Sequence, residues 1–143
     1  MYLAIQLVTS AILVLLMTLI HGGGVVAIAR LLRLDAPPPI AERRPVRTAM
    51  ILSEVALLLF LLHMVEVMVF AAFYLMVGAV GAVEEALFLS ASAYSTLSQP
   101  AGDFPVEWRL VGALEGLIGF LLIGWSTAFF VTDMNRLLRP NCP

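Results

Sequence analysis

Lysine is absent from this chain of 143 residues, and cysteine occurs once, at Cys142. A lone cysteine excludes an internal disulfide and any metal site that needs two thiolates. Only 13% of the residues are charged, and beyond the arginines of one loop no basic patch suits nucleic acid. Neither a glycine-rich phosphate loop nor a nucleophile elbow occurs. We therefore expect no enzyme, no catalytic residue, no cofactor and no nucleic-acid partner.

Long apolar runs dominate the sequence instead. Residues 2–29 contain no Asp, Glu, Lys or Arg, and residues 48–79 and 110–132 are nearly as apolar. About 20 such residues in a helix cross the ~30 Å hydrocarbon core of a bilayer. Runs without alternation favour helices over the strands of a membrane barrel. The sequence thus predicts an all-α integral membrane protein with the lipid bilayer as a partner.

Charge is distributed unevenly between the loops. Residues 30–47 contain five arginines, whereas residues 80–108 contain four acidic residues and no basic one. Because arginine collects on the cytoplasmic side, the N-terminus is predicted outside and the C-terminus in the cytoplasm. The predicted order is a first transmembrane helix at 1–34, a cytoplasmic loop at 35–47, a second transmembrane helix at 48–80, a short helix at 83–97, a loop at 98–107 and a third transmembrane helix at 108–137.

The short helix permits two interpretations. Glu84 and Glu85 in its first turn suit the positive end of a helix dipole. Its length of ~21 Å is too short to cross a bilayer. It is either an amphipathic helix lying on the outer surface or a re-entrant helix that dips into the membrane and returns. The residue pattern does not separate these interpretations.

Five segments, in this order and spacing, carry a family resemblance: Glu84–Leu87, Tyr94–Leu97, Glu107–Leu110, Ala113–Gly116 and Gly124–Thr127. Together they resemble the pore module of tetrameric potassium channels. They resemble more closely the small bacterial ion-channel-domain proteins that have one extra N-terminal helix. The resemblance implies three transmembrane helices plus a re-entrant pore helix, a homo-oligomer with four subunits favoured, monovalent cations as partners, and the bacterial inner membrane as location.

The chain departs from that family at the selectivity filter. The family places Thr-Leu/Val-Gly-Tyr-Gly-Asp after the pore helix, and this chain has Thr96-Leu97-Ser98-Gln99-Pro100-Ala101. Potassium filters stack backbone carbonyls whose geometry depends on glycine, and proline restricts the backbone further. The resemblance therefore implies a poorly selective cation channel. The alternative is a non-conducting structural or regulatory subunit that keeps the channel scaffold. The residues equivalent to the filter are Ser95, Thr96, Leu97, Ser98, Gln99 and Pro100, and those at the outer mouth are Asp103 and Glu107.

Ionisable residues inside the apolar runs are the other candidate functional residues. His63 and Glu66 share a helix face, and Glu115 is predicted at a similar depth on the third span. We predict that these three residues form a buried polar network with hydroxyls of the short helix. Such groups are more often hydrogen-bonded staples than proton sensors or ion sites, although ionisable groups within a membrane always suggest function.

Two further expectations concern metals and His21. Di-metal helix bundles use repeated Glu-x-x-His motifs, and this chain has a single pair in the reverse order. We therefore predict no metal site. Glu54 and His21 lie towards the cytoplasmic side, where His21 is expected to cap a helix or reach the interface.

Glycines interrupt the third apolar run. Gly112 and Gly116 form a small-xxx-small pair that favours close helix packing, and Gly119 and Gly124 are the candidates for a hinge in a pore-lining helix. Close packing is the more frequent use of such glycines.

Overall fold

The computed structural model describes residues 2–34, 45–97 and 104–138. Over these residues the chain forms four α-helices: α1 (Tyr2–Leu31), α2 (Pro45–Met76), α3 (Val83–Tyr94) and α4 (Arg109–Leu138). A 3-10 turn at Val106–Trp108 leads into α4. Among these ranges, α1, α2 and the segment that contains α4 are long and apolar enough to cross a membrane. The predicted all-helical architecture with three candidate spans is confirmed.

The outward faces of the long helices are as apolar as their inward faces. Leu3, Ile12 and Leu19 of α1 are each more than 60% exposed, and Phe60 of α2 and Phe120 of α4 are similarly exposed. A helix on the surface of a water-soluble protein places polar residues outward. The exposed leucine, isoleucine and phenylalanine side chains are therefore consistent with a membrane protein.

Helices α1 and α4 run parallel to one another, and α2 runs in the opposite direction. Near the start of both parallel helices, the Leu110 N–H donates to Gln6 Oε1 at 3.0 Å. Further along both helices, Gly22 faces the ring of Trp125. At the far end of α2, Tyr74 meets Glu115, which lies near the start of α4. This alternation of direction is what three successive membrane crossings require.

The apolar interior is divided into two clusters along the bundle. One cluster contains Leu13, Met17, Phe70, Tyr74, Phe104, Val111, Ile118 and Leu122. The other contains Val25, Ile28, Val55 and Leu59. On α1 the gap between the clusters is occupied by His21, and on α2 it is occupied by His63 and Glu66. The most polar part of the interior thus lies between two layers of packed hydrocarbon.

Helix α3 lies against both α2 and α4. A turn precedes it, in which Gly78 has a φ of +67° and the Ala79 N–H donates to Tyr74 O at 2.9 Å. A hydrogen bond of this kind, from the residue after a left-handed glycine to a carbonyl in the last turn, commonly closes the end of a helix. From there α3 runs antiparallel to α2, and its last residue, Tyr94, reaches His63. His63 lies ~20 Å back from the end of α2, about halfway along that helix.

A strained turn ends α3. The Leu97 N–H donates to Ser92 O at 3.0 Å, and Thr96 between them has a φ of +59°. A left-handed backbone is unusual for a β-branched residue and costs on the order of 1–3 kcal/mol. The helix therefore ends at Tyr94, three residues before the predicted end at Leu97.

Candidate functional site

A buried polar group, here called the histidine cluster, consists of His21, His63, Glu66, Tyr94 and Ser126. Its members come from all four helices: His21 from α1, His63 and Glu66 from α2, Tyr94 from α3 and Ser126 from α4. His21 and Glu66 are fully buried, and the side chain of His63 is 15% exposed. The four helices of the bundle thus meet at one set of polar side chains.

The Glu66 carboxylate is the centre of this cluster. It accepts a hydrogen bond from His21 Nδ1 to Oε1 at 2.9 Å and one from His63 Nδ1 to Oε2 at 3.0 Å. The Tyr94 hydroxyl donates to the same Oε2. A buried carboxylate is costly unless donors surround it, and three donors do so here.

The outer contacts of the two imidazoles orient them. Tyr94 Oη lies 2.8 Å from His63 Nδ1, and Ser126 Oγ lies 3.4 Å from His21 Nε2. The two imidazole ring centroids are 5.4 Å apart, and the Trp125 ring is 5.2 Å from that of His21. In a neutral His21 whose Nδ1 donates to Glu66, Nε2 is an acceptor for the Ser126 hydroxyl.

This arrangement has two chemical capacities. Imidazoles that share a carboxylate can exchange a proton through it. Imidazole nitrogens and a carboxylate oxygen are also ligands for divalent transition metals. One donor atom from each of His21, His63 and Glu66 lies within 4.8 Å of the others.

A second buried group, here called the Glu115 cluster, lies nearer the start of α4. The Tyr74 hydroxyl donates to Glu115 Oε2 at 2.6 Å. Ser90 Oγ lies 2.5 Å from Glu115 Oε1 and 2.9 Å from the Val67 carbonyl oxygen. Since Tyr74, Ser90 and Glu115 belong to α2, α3 and α4, this cluster also attaches the short helix to both of its neighbours.

The predicted network residues are therefore found in two groups. The structure brings His63 and Glu66 into contact at their i, i+3 spacing, together with Tyr94. Glu115 bonds to the short-helix hydroxyl of Ser90 in the separate Glu115 cluster. Glu54 lies outside both groups and is exposed on α2.

The predicted filter and mouth residues lie at the margin of the described structure. The Ser95 hydroxyl donates to Ala91 O of its own helix at 2.6 Å. Thr96, Leu97 and Glu107 are exposed. Three filter-equivalent positions and one mouth position lie outside the described residues: Ser98, Gln99, Pro100 and Asp103.

The two glycines singled out on α4 have different surroundings. A Cβ at Gly119 would lie 2.4 Å from the backbone oxygen of Tyr94 and 2.9 Å from its Cγ. A Cβ at Gly124 would meet nothing within 4 Å in the described part of the chain. Helix α4 continues unbroken through both positions. Gly119 therefore allows α3 to pack closely, and that packing positions Tyr94.

Sequence reasoning missed His21. It was expected to cap a helix or reach the interface, but its side chain is fully buried and bonds to Glu66. The available signal was that His21 is the only histidine or charged residue between positions 2 and 29. Nothing local could select its partner, since 45 positions separate it from Glu66.

Comparisons with known proteins add no further assignment: no family model, curated protein or solved structure matches the chain.

Proposed function

We propose that the protein is the subunit of a homo-oligomeric cation channel of low selectivity, in which α3 is a re-entrant pore helix. The observation that carries the proposal is the reach of α3. Its C-terminal Tyr94 lies beside His63, about halfway along α2, while the next described segment, at Phe104, packs on Tyr74 near the end of α2. A pore loop requires a chain that enters from one end of the bundle, reaches about half its length and returns to the same end.

Buried contacts support a fixed position for this helix. Ser90 and Tyr94 are the polar side chains with which α3 binds the carboxylates of α4 and α2. Ala86 and Ala93 are fully buried, so small residues allow the helix close to its neighbours. An amphipathic helix lying loosely on the membrane surface needs none of these bonds.

The exposed side of α3 supports assembly with further copies. Phe88 is 73% exposed and Leu97 is 84% exposed, and Thr96 in the C-terminal turn is exposed as well. The C-terminal end of a helix carries partial negative charge, which is unfavourable next to lipid. Around a shared axis the same end of α3 would face water and favour cations. Four copies remain the expectation from the family resemblance.

Ion flux tests the proposal. The purified full chain is reconstituted in liposomes, and K⁺, Na⁺ and Cl⁻ flux are compared for the native protein, Gln99→Ala and Thr18→Ala. Thr18 is the control because it is exposed on α1 and its hydroxyl bonds only within its own helix, to Val14 O at 2.8 Å. We expect cation flux that Gln99→Ala changes in magnitude or ion preference and that Thr18→Ala leaves unaltered.

A non-conducting subunit is the second candidate. It is favoured by the bonds of Glu66 and Glu115, whose carboxylate oxygens all have partners within one chain. Carboxylates that are hydrogen-bonded in this way hold helices together, and that role does not require a pore. Absence of flux from folded oligomers across voltage and pH would establish this candidate and contradict conduction.

A further inference from the structure

We propose that His21, His63 and Glu66 form a binding site for one divalent transition-metal ion, of which Zn²⁺ is the representative. The donors come from α1 and α2, which approach closely because Gly24 on α1 leaves space for Leu62. Both imidazole Nδ1 atoms contact the carboxylate of Glu66, each at a different oxygen, and one donor atom from each of the three residues lies within 4.8 Å of the others. Two imidazoles and a carboxylate are a ligand set that binds Zn²⁺ in proteins.

The observed distances suit an ion of this size. In a tetrahedral site with ligand bonds of 2.0–2.1 Å, two ligands are separated by roughly 3.3 Å. The Nδ1-to-oxygen distances are 2.9 Å for His21 and 3.0 Å for His63. These two pairs need to separate by a few tenths of an ångström when an ion replaces the two Nδ1 protons. The three donor atoms, which now lie within 4.8 Å of one another, must also draw closer around the ion. Each imidazole then carries its proton on Nε2, so that the change is one of tautomer.

Neighbouring side chains fit the metal-bound form. A His21 that binds through Nδ1 presents Nε2–H to Ser126 Oγ, which lies 3.4 Å away. The Tyr94 hydroxyl donates to Glu66 Oε2, and its oxygen lies 2.8 Å from His63 Nδ1. Outer hydrogen bonds of this kind orient metal ligands and strengthen binding.

Access and burial are compatible with binding. The side chain of His63 is 15% exposed, so the site reaches the surface of the bundle there, whereas His21 and Glu66 are fully buried. An ion in this position pairs directly with the Glu66 carboxylate and links α1 to α2. Metal binding in this way requires no conduction, so failure of the channel proposal would leave the metal site intact, and failure of the metal site would leave conduction intact.

Cobalt provides the test, because tetrahedral Co²⁺ has intense visible absorption that octahedral aqueous Co²⁺ lacks. The full chain, purified without a histidine tag and stripped with chelator, is titrated with Co²⁺ in detergent micelles. We expect one tetrahedral Co²⁺ per chain, displaced by Zn²⁺, and a melting temperature that rises with metal concentration.

The decisive variants are His63→Asn and Glu115→Gln. Loss of the ligand at His63 should weaken Co²⁺ binding by more than the 10–100-fold typical of changes in outer partners. Glu115→Gln changes a buried carboxylate that has no imidazole partner and should retain the spectrum. His63 is partly exposed, so this variant should fold, and circular dichroism with gel filtration checks that it does.

Two results would overturn the site. One is a folded native chain that develops no tetrahedral absorption at millimolar Co²⁺. The other is a spectrum that His63→Asn leaves unchanged, since the ion would then be bound elsewhere. In either case the histidine cluster only holds the helices together through hydrogen bonds.

Discussion

The histidine cluster and the Glu115 cluster solve the same physical problem in different ways. Each buries a carboxylate among helices, and each binds one side chain of α3: Tyr94 in the first and Ser90 in the second. The Glu115 cluster uses hydroxyl donors alone and is closed to solvent. The histidine cluster uses two imidazoles, and one of them is partly exposed.

The difference separates attachment from chemistry. Hydroxyl groups can donate a hydrogen bond to a carboxylate, but they neither change charge near neutral pH nor favour transition metals. Imidazoles do both. Hydroxyl donors alone are sufficient to attach α3 at Glu115, so the imidazoles give the histidine cluster a capacity to bind metal that attachment does not require.

Glu66→Leu should produce the largest effect. It leaves His21, His63 and Tyr94 without their common acceptor, and each buried donor left unpaired costs ~1–3 kcal/mol. Unfolding of the purified protein in mixed micelles measures the loss. Glu54→Leu on the same helix is exposed and should change the free energy of unfolding by less than about 0.5 kcal/mol. Equal effects of the two variants would mean that the histidine cluster does not hold the bundle together.

Gly119→Ala should come next. The added Cβ would collide with the Tyr94 backbone, and overpacking of this kind costs ~1–3 kcal/mol. It should also displace Tyr94 from Glu66 and therefore weaken any metal binding.

Gly124→Ala is the matched control, since alanine favours a helix by roughly 0.5–1 kcal/mol over glycine and meets no neighbour in the described residues. Altered conduction with unchanged stability in Gly124→Ala would instead indicate a hinge at that position.

Glu115→Leu should cost less than Glu66→Leu. Only Tyr74 loses its acceptor, because Ser90 retains the Val67 carbonyl at 2.9 Å. One buried donor left unpaired costs ~1–3 kcal/mol, with the low end expected inside a membrane. The same micelle unfolding series measures it. A loss as large as that of Glu66→Leu would show that the two clusters are equivalent staples.

Ser126→Ala should have the smallest effect on stability. Its contact with His21 Nε2 is long, at 3.4 Å, and such a bond contributes at most ~0.5 kcal/mol. It should nevertheless weaken Co²⁺ binding by about 10-fold, since the hydroxyl fixes the imidazole tautomer. A change in stability without a change in metal affinity would mean that Ser126 contributes to packing but does not orient the His21 imidazole for metal binding.

Much of the architecture followed from the sequence because long apolar helices are specified locally. The predicted spans at 1–34, 48–80 and 108–137 correspond to α1, to α2 and to the segment containing α4, with ends that differ by a few residues. Pro45 begins α2 three residues before the predicted boundary, since proline is accommodated in the first turn of a helix. The resemblance to a channel pore stays a prediction, because no family model, curated protein or solved structure matches the chain.

By itself the sequence determined three apolar helices and the pairing of His63 with Glu66, because helix length and i, i+3 spacing depend only on neighbouring residues. Only the tertiary structure decided that His21 would join that pair and that Glu115 would bond elsewhere. Apolar helices can rotate about their axes with little change in local pattern. The close approaches at Gly24 and Gly119 decide which faces meet, and polar groups far apart in sequence then become partners.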